Sequence, residues 1–390
     1  MTGTGTVSLR APGKLFVVGE YAVVQPGHPA ILAAVDREVR VTVSAAHGGG
    51  VGGVGGAGSV GGAGGVVDVV IESDLSPGRA RLRRGDGGLV ALGADDAQRV
   101  REGLTHVVAA IDVVDGLLAE QGLSARPVHV SVSSRLHHEG TKLGLGSSGA
   151  VTVASVSAIA AYHGLELSHD ARFRLAMLAT ARLDPRSSGG DLAASVWGGW
   201  IEYHAPDRAA VLDLVERRGI EESLRAPWPG LRVRRLPPPR DLAVEVGWTG
   251  RPASTASLVG SLGRHAWQGS ASQRSFVERS DACVRASVGA LERGDGPALL
   301  REVRGARRML AKLDEEVRLG IYTTTLTALS DAAEAVGGAG KPSGAGGGDC
   351  GIALLDATAH EQIAQLRKGW AAAGVLPVPI RLQSTKGSAA

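Results

Sequence analysis

The chain has 390 residues, enough for two or three domains around a substantial core. Its 42 basic residues are mixed with 39 acidic ones for a net charge of +3, which leaves no electrostatic footprint for nucleic acid. No apolar run reaches the roughly 18 to 20 residues that cross a bilayer, and Met1 to Leu9 lacks the pattern of a secretory signal, so a soluble cytoplasmic protein without a membrane partner is expected.

Val7 to Leu9 and Leu15 to Val18 are apolar runs interrupted by Arg10-Ala-Pro-Gly-Lys14. The pattern predicts two strands around a tight Pro12-Gly13 turn, with Lys14 where the chain reverses. A turn lysine is ordinarily solvated; this one, between a glycine and a buried-looking strand in a lysine-poor chain, is a candidate to face a site. Asp36 to Ser44 alternates as a half-buried strand, and Gly48 to Gly65 is too poor in side-chain volume to pack, which predicts a disordered insertion before a strand over Val66 to Glu72. Leu104, Val107, Val108, Ile111, Val114 and Leu118 recur at helical spacing, and Val128 to Val132 alternates as a strand. His137-His138-Glu139 reads as a solvated loop, since adjacent histidines seldom share one ion.

The most informative stretch is Lys142-Leu-Gly-Leu-Gly-Ser-Ser-Gly149, followed by the small-residue run Ala150 to Val156. Glycines free the backbone N–H groups to turn inward on an anion, two serines add hydroxyls, and the run behind them predicts a buried helix whose N-terminus faces the same point. That is a phosphate cradle. Gly144, Gly146 and Gly149 also satisfy the dinucleotide fingerprint, but the polar loop Ser133 to Lys142 separates them from the preceding strand, which argues for a nucleoside triphosphate.

Beyond it, a helix is predicted over His169 to Arg182 with Ser168 as its cap, then a turn over Ser187 to Gly190, a short helix opened by Asp191, and a strand over Trp200 to His204. Asp191 serves equally well as a helix cap or as a catalytic carboxylate. Leu231 to Leu236 and Leu242 to Trp248 read as strands flanking a rigid proline turn, and Thr249 to Thr255 as a loop carrying hydroxyls and Arg251. Helical periodicity covers Ser272 to Leu313 and Tyr322 to Ala335. After the loop Lys341-Pro-Ser-Gly-Ala-Gly-Gly-Gly-Asp349, a strand is predicted over Gly351 to Leu355, a helix over Ala359 to Ala373, a strand over Val378 to Leu382, and a frayed tail over Ser384 to Ala390. Cys283 and Cys350 lack metal-ligand spacing and read as reduced thiols.

Three glycine-marked loops in this order, Ala11-Pro-Gly-Lys14, Leu143 to Gly149 and Lys341 to Asp349, resemble those of the GHMP kinases along almost the whole chain. The resemblance implies an α+β fold of two domains: a ribosomal protein S5 domain 2-like N-terminal domain, set at residues 1–204, and a ferredoxin-like C-terminal domain, set at 205–383. ATP and an acceptor would lie between them. Within the family the likeness is to the bacterial phosphomevalonate kinases, carried by Gly19-Glu-Tyr-Ala-Val23, Ser188 to Val196, Gly247 to Thr255 and Ser343 to Gly351. Mevalonate is the alternative acceptor, and a non-catalytic metabolite sensor the alternative class.

Carried over residue by residue, Lys142, Gly144, Leu145, Gly146, Ser147, Ser148 and Gly149 would bind ATP, with Ser147 and Ser148 helping to position Mg²⁺. Lys14 and Asp191 would be catalytic. The acceptor would meet these two and Tyr21, Arg186, Arg251, Ser254, Ser343, Gly344, Ala345 and Gly346. Arg186, Arg251 and Lys341 are equal candidates to grip its phosphate or carboxylate. A monomer or homodimer is expected.

Overall fold

The computed structural model describes residues 5–46, 67–253, 258, 260 and 267–383. The glycine-rich stretch 48–65, Ser254 and the tail 384–390 lie outside the described residues. In chain order the strands and α-helices are β1 (Val7–Val18), β2 (Pro29–Ala45), β3 (Val69–Ser73), β4 (Ser76–Gly85), β5 (Gly88–Ala91), α1 (Ala94–Arg99), α2 (Thr105–Glu120) and β6 (Val128–Ser134). There follow β7 (His137–His138), β8 (Thr141–Lys142), α3 (Ser147–Tyr162), α4 (His169–Leu183), α5 (Gly190–Trp197), β9 (Trp200–His204), α6 (Arg208–Arg225), β10 (Arg232–Leu236) and β11 (Leu242–Trp248). The rest comprises α7 (Ala271–Arg293), α8 (Gly296–Val317), α9 (Thr324–Ala335), β12 (Ala339–Pro342), β13 (Cys350–Asp356), α10 (His360–Ala372) and β14 (Leu376–Pro377).

The spine of the first sheet is β2. Along one edge it pairs with β1; along the other its first half pairs with β9 and its second half with β6. The sheet runs β10-β9-β2-β6-β3-β4-β5. Helix α3 lies across β1 and β2 and is buried on nearly every side, which explains its make-up of Ala, Val, Ser and Gly: small residues let neighbouring backbones approach. Helices α2, α4 and α5 pack around it. The second sheet runs β12-β13-β11-β14 with helices against it. In α8, Leu299, Val303, Ala306, Leu310, Leu313 and Val317 form one buried stripe at helical spacing.

The structure corrects the sequence reading at several points. There is no turn at Pro12-Gly13. β1 is one strand, and its register on β2 slips between Pro12, opposite Glu38, and Lys14, opposite Ala34. Proline has no N–H for the ladder and is tolerated at such an irregularity. A Cβ on Gly13 would lie 2.6 Å from Leu136 Cδ2 and 2.7 Å from the Leu145 carbonyl oxygen, so this glycine permits a close approach rather than a reversal.

The strands flanking Pro237 to Pro239 are not a hairpin. β10 pairs with β9 in the first sheet and β11 with β13 in the second. Residues 205–236, expected in the C-terminal domain, therefore belong with the first sheet, and the prolines carry the crossover. Strand β10 is held there partly by charge, with Arg234 bonded to Glu202 of β9 at 2.9 Å. The single helical region read over Ser272 to Leu313 is two helices. Gly294, at φ 69°, ends α7, and the Asp295 carboxylate accepts from Ala298 N to open α8. The strand predicted over Val378 to Leu382 does not form: the short β14 lies just before it, at Leu376–Pro377, and of the predicted residues only Leu382 makes a bridge, to Val35 of the first sheet.

Candidate active site

A cleft of about 680 Å³ is lined by residues of both halves of the molecule, a size usual for small-molecule sites. One wall is the cradle. Gly144 and Gly146, with φ of 77° and 74°, adopt the left-handed conformation that turns the chain into α3, whose first residue is Ser147. Ser147, Ser148 and Gly149 form the first turn of that helix and line the cleft, where unpaired N–H groups and the helix dipole favour an anion.

The three cradle glycines are also sockets for side chains from three other segments. A Cβ on Gly144 would overlap Asp349; one on Gly146 would lie 2.9 Å from Lys14 Cγ and 3.3 Å from Asp191 Cβ; one on Gly149 would lie 2.5 Å from Asp191 Oδ2. Lys14, Asp191 and Asp349 are thereby packed against one loop. Their backbones come from β1, from the first turn of α5 and from the turn before β13.

Lys14 is 8% exposed. Its backbone N–H donates to the Leu145 carbonyl at 2.8 Å and its ammonium to the Gly144 carbonyl at 3.2 Å. Burial pulls the ammonium pKa below the usual lysine value, opposed by the charges of Asp191 and Asp349. Asp191 accepts from the backbone N–H of Leu192 at 3.0 Å. Burial raises the Asp349 carboxyl, while a hydrogen bond from Ala253 N and the charges of Lys14 and Lys142 oppose that rise.

Of the expected site residues, the cleft wall contains Lys14, Tyr21, Lys142, Gly144, Gly146, Ser147, Ser148, Gly149, Arg186, Asp191, Gly344 and Ala345. Tyr21 donates its hydroxyl to the Ala345 carbonyl, tying the turn after β1 to the 343–349 loop. Arg186 stands at the rim, its Nε bonded to Asp184 at 3.0 Å.

Four expected residues fall elsewhere. Leu145 is buried behind the cradle. Ser343 Oγ accepts from Phe16 N at 2.8 Å and donates to Phe16 O at 3.0 Å, so its hydroxyl is engaged in joining the two halves. Gly346 packs on Ile321, and the Arg251 side chain is solvent-exposed while its carbonyl accepts from Asp349 N. Lys341 is also excluded as a phosphate grip. It is fully buried and its ammonium is bonded to Glu20 and to the Pro342 carbonyl.

Sequence reasoning assigned no role to Asp349 or His106. Asp349 was visible as the one charged residue closing a glycine run. His106 lines the cleft at the start of α2, and burial lowers its pKa. Thr152 donates its hydroxyl to the Ser148 carbonyl at 2.8 Å, so in the 3.3 Å contact between His106 Nδ1 and the Thr152 Oγ1 the ring is the donor. No pattern in the apolar stripe of α2 pointed to it. Among the described residues no cluster of three or more His, Cys, Asp or Glu is arranged to hold a metal, and no helix is long and apolar enough to cross a membrane.

The family model for the GHMP kinases N terminal domain matches residues 106–199, which include the cradle and Asp191, and that for the GHMP kinases C terminal matches residues 287–372. The chain is 61% identical over 379 residues to a phosphomevalonate kinase from Streptomyces sp. (strain CL190), covering 97% of this chain and 98% of that one. It is 26% identical to a mevalonate kinase of Thermococcus sibiricus, over 95% of each chain. Among solved structures, the Lin0012 protein from Listeria innocua superposes with a TM-score of 0.83 at 30% identity, over 98% of this chain and 100% of that one. The phosphomevalonate kinase of Streptococcus pneumoniae, in complex with phosphomevalonate and AMPPNP, superposes with a TM-score of 0.79 at 25% identity, over 97% and 100%. Two domain models in the expected order and near-full-length identity of this degree lead to one conclusion: the chain belongs to the GHMP kinases.

Proposed function

We propose that this protein is an ATP-dependent phosphomevalonate kinase, transferring the γ-phosphoryl group of ATP to (R)-5-phosphomevalonate to give 5-diphosphomevalonate and ADP. The observation that carries the reading is the 61% identity to the Streptomyces phosphomevalonate kinase along nearly the full length of both chains. The cleft agrees with it chemically. Phosphoryl transfer demands in-line positioning and positive charge around the moving group, and the cradle N–H groups, Lys14 and Lys142 supply both.

In this reading Gly144, Gly146, Ser147, Ser148 and Gly149 wrap the ATP phosphates, with Lys142 at the entrance. Lys14 neutralises charge between donor and acceptor. An acceptor phosphate has a second pKa of about 6 and is largely ionised near neutral pH. Asp191 then orients Lys14 and the acceptor more than it removes a proton. Tyr21, Gly344 and Ala345 face the acceptor, and Arg186 at the rim is the remaining candidate of the three to grip its charged end.

Mg²⁺ fits the donor set. A hard cation takes oxygen ligands, Ser147 and Ser148 offer hydroxyls beside the phosphate site, and the nucleotide phosphates would complete its shell. The ion would neutralise phosphate charge there.

The test is ADP release from Mg-ATP with phosphomevalonate, mevalonate, homoserine and galactose at equal concentration. Turnover with phosphomevalonate alone is expected. Turnover with mevalonate alone would overturn the acceptor assignment, and binding of both ligands without ADP release would replace the enzyme by a sensor.

A further inference from the structure

Asp349 has a positive φ of 54°, directly after three glycines that share that sign. Glycine would adopt this conformation without steric cost, so the side chain has a reason to be there. Part of the reason is a latch. The Asp349 N–H donates to the Arg251 carbonyl at 2.8 Å, its carbonyl accepts from Thr249 N at 3.0 Å, and its Oδ1 accepts from Ala253 N at 2.9 Å. Three hydrogen bonds thus fasten the 249–253 loop to the turn before β13.

The latch requires one acceptor oxygen and no charge; asparagine would serve. The carboxyl group lies beside the cradle, in the space left by the missing Cβ of Gly144, and shares the cleft wall with Lys14 and Lys142. The anionic or potentially anionic groups bearing on Lys14 are Asp191, Asp349, Cys350 and Glu20. Glu20 is already bonded to Lys341, and the Cys350 thiol, pushed up by burial, is neutral and donates to the Leu143 carbonyl at 2.9 Å. Lys14 and Lys142 thus share the cleft wall with two acidic side chains, Asp191 and Asp349.

A fixed carboxylate at a site for phosphates works against ground-state binding through like-charge repulsion. We infer that Asp349 is a positioning residue and an internal substitute anion, which orders Lys14 and Lys142 across Gly144 and releases them to the incoming phosphates. It makes polyphosphate binding weaker and phosphoryl transfer faster. The part concerning transfer rests on the kinase reading above.

The test separates charge from latch. Asp349→Asn keeps the acceptor for Ala253 N–H and removes the charge. Calorimetric titration with metal-free inorganic pyrophosphate is expected to show affinity raised about fivefold, the scale of one screened charge interaction. kcat with phosphomevalonate is expected to fall about tenfold through looser alignment of Lys14, with an unchanged melting temperature. Asp349→Ala, which also breaks the latch, is expected to add a rise in KM for the acceptor. Weaker or unchanged pyrophosphate binding in Asp349→Asn overturns the substitute-anion role. A lowered melting temperature with losses equal in both variants reduces Asp349 to a structural latch. The pyrophosphate comparison needs no acceptor, so an error in the acceptor would show as a silent wild type while the binding difference still stands.

Discussion

The Asp191 carboxylate occupies the space that a side chain on Gly149 would need, with Oδ2 2.5 Å from the position of such a Cβ. The helix that presents the phosphate-binding N–H groups and the carboxylate proposed to orient the acceptor are therefore in van der Waals contact. Gly149→Ala should displace Asp191 while leaving the fold intact, since alanine is favoured over glycine within a helix by about 1 kcal/mol. A misplacement of this size typically costs about 100-fold in rate. Steady-state turnover and a thermal melt measured together check both halves of the expectation.

Lys14→Met removes a buried cation without leaving a cavity. Turnover should fall by about 100-fold or more, the scale of losing a main stabiliser of transition-state charge. ATP affinity should fall far less than turnover, because the cradle N–H groups and Lys142 remain. Nucleotide binding by calorimetry alongside ADP release is the measurement, and near-normal turnover would remove Lys14 from the reaction.

Asp191→Asn distinguishes the two possible tasks of that residue. With an already ionised phosphate acceptor, loss of the carboxylate should cost about tenfold, since only orientation suffers. A carboxylate that served as the required base would be worth about 100-fold or more. The pH dependence of kcat in the variant provides a second reading: loss of a base would remove the acid limb, and loss of an orienter would keep it.

Glu20 and Lys341 form a buried ion pair between the turn after β1 and β12. Glu20→Gln leaves the Lys341 ammonium buried without a counter-charge, which typically costs about 3–5 kcal/mol. The melting temperature should fall markedly. The double variant Glu20→Gln with Lys341→Met should recover much of the loss, because neither charge then remains.

Acid stability should depend on Glu202. Hydrogen bonds from His204 and Arg234 hold its carboxyl down at about 2, against an ordinary 4.5. A depressed carboxylate stabilises the folded state above its unfolded pKa, and the contribution is lost as pH falls from 4.5 toward 2. His204 has the opposite sign: Glu202 raises its pKa above 6.5, so its contribution is complete below that value and fades as pH rises through the folded pKa. Melting temperature against pH should therefore flatten at both ends in Glu202→Gln.

Elements with a local signature were legible in the sequence. The glycine spacing of the cradle, the small-residue run of α3 and the Ser168 cap appear where expected, and a short helix forms at Asp191, though it begins at Gly190 with Gly189 as its cap and Asp191 in its first turn, because backbone conformation and burial pattern are local properties. Partnership between distant strands was not legible. Nothing within Leu231 to Trp248 says that its two strands join different sheets, since that depends on Trp200 to His204 and Cys350 to Asp356. The same limit explains the errors at the site. Lys341 reads as a free cation until Glu20, 321 residues away, is placed beside it, and Ser343 reads as a ligand group until Phe16 takes its hydroxyl.

Residues 381–383 lie back against β2, with Asp36 N donating to Arg381 O, Gln383 N to Ala34 O, and Arg381 N to the Asp36 carboxylate across a separation of 345 residues. Ala34 is the register partner of Lys14. The strand pair that carries the proposed catalytic lysine is therefore finished by one of the longest-range contacts in the chain. Closing so long a loop is entropically costly and slow. During synthesis, the cradle helix and its neighbours have all emerged before the segment that completes their supporting strand. The first half of the molecule, though it holds most of the cleft, must wait for residues 381–383 before the middle of β2 has these backbone partners.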